Sequence, residues 1–135
     1  MRTPFAGLGL VAWLLSAACA APSAAPAGQL THTVFFWLRP EAPPDTAARL
    51  LAFYRDEVPA LPGVLAVYPG VPFPSDRPVV DDSFSFGVTT VFADAAAERT
   101  WQDHPVHQRM IAAFEPHFAK VMVFDTLVTA TIPGH

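Results

Sequence analysis

Cysteine is nearly absent from this chain: Cys19 is the only one among 135 residues. No disulfide can form within the chain, so its stability has to come from packing and assembly. Charge is scarce as well, at 15% of residues. The basic side chains are dispersed, the nearest two, Arg49 and Arg55, standing six positions apart, and 8 basic against 12 acidic residues leave a formal charge of −4. A chain without a basic patch is not built to hold a polyanion, so nucleic acid is not expected as a partner. A membrane-spanning helix is missing too. The apolar run Phe5–Leu15 has 11 residues, against the roughly 20 needed to cross a bilayer.

That short run has another meaning. Arg2 ahead of it and Ser16-Ala17-Ala18-Cys19-Ala20 behind it give residues 1–20 the form of an export signal. Two readings of Cys19 stand. It occupies the place of the acylated cysteine of a bacterial lipoprotein, although Leu15 lies four residues before it rather than the usual three; or it is discarded by ordinary cleavage after Ala20. The chain is thus expected to be exported, and to end as a periplasmic, envelope-anchored or secreted protein. A membrane would be met only through a lipid on Cys19. Residues 21–29, rich in Ala and Pro and without large apolar side chains, read as a disordered linker. Residues 30–135 read as one domain.

That domain is rich in apolar material. The chain is 52% hydrophobic, and ten of its eleven Phe follow residue 30. This exceeds what one small monomer needs and points to a second buried surface, either a subunit interface or a lined cavity. A first strand, Thr31–Arg39, sets His32, Val34, Phe36 and Leu38 on one face and Thr33, Phe35 and Trp37 on the other. Both faces are largely apolar, so both should be covered. Ala47, Leu50, Leu51, Tyr54 and Val58 recur at helical spacing and predict a helix over Thr46–Val58 with Asp45 as its N-cap. Leu61-Pro62-Gly63 is a turn, Val64–Tyr68 a second strand, the proline-bearing stretch Pro69–Arg77 a loop, and Ser83–Phe92 a third strand. Asp94 caps a helix over Ala95–Asp103, Pro105 opens a further helix that Pro116 bends or ends, and Val121–Ile132 is the last strand. The order β-α-β-β-α-β, with its second helical region split, predicts an α+β, ferredoxin-like antiparallel sheet with helices on one face. The uncovered face calls for a second copy of the sheet.

The ordered set His32-Thr-Val-Phe-Phe-Trp-Leu-Arg, Leu61-Pro62-Gly63-Val64, Asp82-Ser-Phe-Ser-Phe-Gly, Trp101-Gln-Asp-His104-Pro-Val-His107-Gln and Phe124-Asp125 resembles the stress-responsive dimeric α/β-barrel (Dabb) family over residues 31 to about 127. The resemblance implies a homodimeric α/β barrel with a cavity between sheet and helices in each subunit. Most members have no known activity. In a plant member that performs an aldol cyclisation of a linear polyketide, the general base matches His107, and its pocket His and helix Tyr match His32 and Tyr54. The catalytic Tyr of that protein falls on Trp101 here. An indole has no hydroxyl and its ring nitrogen cannot accept a proton, which counts against that cyclisation.

His107 is therefore the one candidate catalytic residue, a general base with an ordinary pKa near 6.5; the competing reading is a turn histidine bonded to a backbone carbonyl. His104, just before Pro105, reads as a cap, and His117 and His135 as solvent-facing. His32, Val34, Tyr54, Phe86, Trp101, Met110 and Phe118 are the candidate pocket. His32, His104 and His107 lack tight ligand spacing, so neither a metal nor a cofactor is expected. Taken together, the sequence and the resemblance suggest an exported homodimer with an apolar cavity, a small-ligand-binding or stress-related module of unknown activity. The alternative is an enzyme using His107 on a carbonyl, polyketide-like or aromatic substrate.

Overall fold

The computed structural model describes residues 28–130. The expected export signal, Cys19, most of the linker and His135 lie outside the described residues. The elements run β1 (Leu30–Leu38), α1 (Thr46–Asp56), β2 (Val64–Gly70), β3 (Phe86–Phe92), α2 (Ala95–Asp103), α3 (Pro105–Phe114) and β4 (Phe118–Leu127), with 3₁₀ turns at Val58–Ala60 and Glu115–His117. The strands form one antiparallel sheet in the order β2-β3-β1-β4. This is the ferredoxin-like α+β arrangement. Among the described residues no helix is long and apolar enough to cross a membrane.

Alternation along β1 decides the two faces. Leu30, His32, Val34 and Phe36 are buried, and they sit opposite Phe92, Thr90, Val88 and Phe86 of β3, which are buried too. The helices cover this face. Thr33, Phe35 and Trp37 point the other way, beside Phe124, Met122 and Lys120 of β4. The core between sheet and helices is closed by Leu50, Phe53 and Tyr54 of α1, Trp101 of α2 and Met110 and Phe114 of α3.

Several boundaries differ from the sequence reading. Helix α1 stops at Asp56, and Val58 belongs to the 3₁₀ turn that Pro59 continues. Its buried stripe is Thr46, Leu50, Phe53 and Tyr54, whereas Leu51 is exposed. Asp45 stands at the helix start but its side chain makes no capping bond; Asp94 does cap α2, accepting from the Ala97 N–H at 2.8 Å. Strand β2 runs on through Pro69 to Gly70, since a proline at a sheet edge leaves no ladder donor missing. Strand β3 begins at Phe86 rather than Ser83, because the Ser85 hydroxyl takes the Leu38 N–H that a continued ladder would have used. Strand β4 begins at Phe118 and ends at Leu127, set by its pairing with β1 from Leu38 back to Leu30. Gly28 and Gln29, the last residues of the expected linker, bond to Val128 through their backbones.

Candidate functional site

The helices leave the inward face of β4 partly open, with Val121 and Val123 about half exposed. A cavity of about 240 Å³ lies there between β1, β4 and the three helices. Val34, Phe36, Met110, Ile111, Val121 and Val123 make its apolar wall; His32, Tyr54, Gln102, His107 and Asp125 supply the polar groups. Of the residues expected from the sequence, His32, Val34, Tyr54, His107 and Met110 thus meet around one space. Phe86, Trp101 and Phe118 do not line it. They form the layer behind: Phe86 stacks on Tyr54 at 6.0 Å, Trp101 lies 4.5 Å from the His107 ring, and Phe118 packs on Phe36 at 4.8 Å, all between ring centroids.

The Pro105 turn places His107. His104 caps α3, its Nδ1 accepting the Val106 N–H at 3.2 Å, and one turn later His107 faces back towards the end of α2. There its Nδ1 lies 3.0 Å from the Gln102 carbonyl oxygen. A carbonyl only accepts, so Nδ1 carries the hydrogen and the neutral ring holds its lone pair at Nε2. Both readings of His107 are therefore present in one side chain: it is a turn histidine bonded to the backbone, and that bond leaves the other nitrogen able to take a proton.

The opposite wall is built by strand register. His32 and Asp125 are Cα partners across β1 and β4 on the same face, and His32 Nδ1 donates to Asp125 Oδ1 at 2.7 Å. The side chain is 9% exposed, and its second nitrogen has no protein partner among the described residues. On α2, the Gln102 side-chain amide donates to Glu98 Oε1 at 2.6 Å, so one residue links the His107 side to the His32 side. Tyr54 is buried, and its hydroxyl has no protein partner among the described residues. Desolvation pushes its phenol far above the ordinary value, which keeps it a neutral donor.

Gln102, Glu98 and Asp125 were not among the residues expected to matter. Asp125 did carry a signal, being an acid in a strand face that otherwise alternates Val121 and Val123. Glu98 and Gln102 stand four apart on one helical face. A larger hollow, about 720 Å³, lies elsewhere: an open groove between α1 and α3, where Arg49, Asp56, Glu57 and Arg109 surround Phe53 and Phe114. It contains no histidine.

No curated protein matches the sequence. Solved structures do. A Dabb family protein with a ferredoxin-like fold from Mesorhizobium loti is 27% identical, the match covering 74% of this chain and 96% of that one at a TM-score of 0.60. A dimeric ferredoxin-like protein of unknown function from Jannaschia is 25% identical, with 75% and 100% covered and a TM-score of 0.64. A hydroxynitrile lyase from Passiflora edulis shares the fold at 19% identity, with 80% and 100% covered and a TM-score of 0.64. The model of the stress responsive A/B barrel domain matches residues 30–128. With the sheet order, the split second helix and the cavity in place, that match over most of its length makes the chain a member of the Dabb family.

Proposed function

We propose that the protein is an exported homodimer that binds a small, largely apolar molecule carrying an oxygen function in the cavity beside β4. The observation that carries this reading is the cavity's lining: an apolar wall facing a few convergent polar groups, His32, Tyr54, Gln102 and His107, which is the general make-up of a small-molecule site. Its volume of about 240 Å³ suits a molecule of one ring or a short chain. The dimer is supported by the apolar outer face of the sheet and by the Jannaschia protein, which is described as dimeric. Export rests on the signal-like residues 1–20. The mass of the mature chain decides between acylation at Cys19 and cleavage after Ala20.

The test is a panel of single-ring aldehydes, ketones and phenols screened by ligand-observed NMR and then by amide shift mapping. Binders are expected to perturb His32, Tyr54, Met110, Ile111 and Val123. A panel without binders, or one whose shifts map to the α1–α3 groove, contradicts the reading.

Catalysis by His107 is the second reading, and its tautomer favours it: the bond to Gln102 leaves Nε2 as a base. For a ketone that binds, exchange of deuterium next to its carbonyl should run about 10²-fold or more faster than in buffer. His107→Gln should abolish that acceleration while binding persists. An unchanged rate in the variant would remove His107 from the chemistry.

A further inference from the structure

We propose that His32, Glu98 and Asp125 form a site for a divalent transition-metal ion at the edge of the cavity. One ligand-type atom from each lies within 4.8 Å of the other two. The three come from β1, α2 and β4, so the fold assembles them; they are not a local acidic run. Strand register sets His32 against Asp125, and the Gln102 amide fixes the orientation of the Glu98 carboxylate from behind. Outer hydrogen bonds of this kind hold metal ligands in place.

Two further observations point to a cation. His32 is nine-tenths buried at the cavity wall, and its Nδ1 stands 2.7 Å from Asp125 Oδ1, so with the ring proton moved to Nε2 this nitrogen and the carboxylate oxygen face one ion together. Neither Glu98 nor Asp125 has a Lys or Arg partner among the described residues, where the only cationic pairs are Arg55–Asp56 and Arg109–Glu57. Among the described residues the two carboxylates meet no Lys or Arg in a partly covered place, and a dication balances their charge. One nitrogen and two carboxylate oxygens suit zinc, manganese or cobalt(II) better than copper(I), which prefers thiolates, or magnesium, which prefers oxygen alone. Metal–ligand bonds of about 2.0–2.2 Å need only a small closing of these side chains. Three protein ligands leave a coordination position open towards the cavity, as in catalytic rather than structural sites.

Metal binding at this site needs no organic ligand and is measured without one. The untagged protein is titrated with zinc chloride by calorimetry, and with cobalt(II) by its visible absorption, in a non-chelating buffer at neutral pH. One ion per chain is expected, bound at least tenfold more weakly by Glu98→Gln and by Asp125→Asn. His117→Gln, a histidine away from the cavity, should bind as the native chain does. Circular dichroism checks that the two acid variants are folded; both replace partly exposed side chains with near-isosteric amides. Absence of saturable binding would overturn the site, as would equal affinity in Glu98→Gln and Asp125→Asn.

Discussion

Tyr54 shows how burial sets chemistry at a single residue. Its ring stacks on Phe86 and meets Phe53 edge-on at 5.4 Å. A phenolate there would be unsolvated, so the folded state holds the proton more tightly than the unfolded chain, whose phenol titrates near pH 10. The stability tied to that proton is complete below pH ~10 and is lost as pH rises above it towards the folded pKa. Tyr54→Phe has no proton to lose. Thermal melts of both proteins should keep a constant gap up to pH ~10, and beyond it the variant should gain on the native chain. Parallel curves to pH 11 would show that the hydroxyl is solvated after all. The histidines were partly legible in the same local terms. The position of His104 before Pro105 already implied a cap, and the structure gives it that role. The Gln102 bond of His107 was not legible, because it depends on how α2 ends against α3. Asp125 and Glu98 were unreadable as partners of His32, being far from it in sequence and brought together only by strand pairing and helix docking.

At the level of elements, sequence periodicity located every strand and helix but misjudged their ends wherever a distant partner decides them. Ser83–Ser85 alternates like a strand, and only the Ser85 hydroxyl bonded to Leu38 shows why pairing starts later. Pro116 marks the end of α3, and β4 follows directly on the 3₁₀ turn Glu115–His117 because Leu38 pairs with Phe118. One turn residue couples two elements in a way that can be tested. Gly63 has φ +80°, and a Cβ added there would stand 2.5 Å from the Ala97 Cβ of α2. Its carbonyl also accepts the Ala93 N–H at 2.8 Å, tying the turn to the end of β3. Gly63→Ala should lower unfolding free energy by about 2 kcal/mol or more, since the left-handed backbone alone costs about 1–2 kcal/mol. In urea titrations the midpoint should fall at unchanged slope. Adding Ala97→Gly should recover the part of the loss due to the clash. A midpoint unaltered by Gly63→Ala would mean that the turn relaxes freely and does not hold α2.

The whole molecule is a sheet with two unlike faces. One packs on the helices and holds the cavity. On the other, Phe35, Trp37, Phe84, Met122 and Phe124, together with Asp81, surround a hollow of about 210 Å³, with Met122 36% and Phe124 50% exposed. Lys120 lies over the Trp37 ring at 4.2 Å, Ser83 accepts the Trp37 indole N–H, and Asp81 accepts from Ser83, so Lys120, Ser83 and Asp81 gather on the Trp37 side of this patch. An apolar centre with a polar rim is how subunit interfaces are built. The surplus of Phe had suggested such a surface from the sequence, but which face carried it depended on where the helices dock. A second copy placed on this face would cover the patch and leave the cavity beside β4 on the opposite side. Light scattering coupled to size exclusion tests this division of the molecule most directly. At micromolar concentration the purified protein should have twice the mass of one chain, and Phe124→Glu, which places a charge at the centre of the patch, should have the mass of one chain with its secondary structure intact. A single-chain mass for the native protein, or a double mass that Phe124→Glu leaves unchanged, would contradict it.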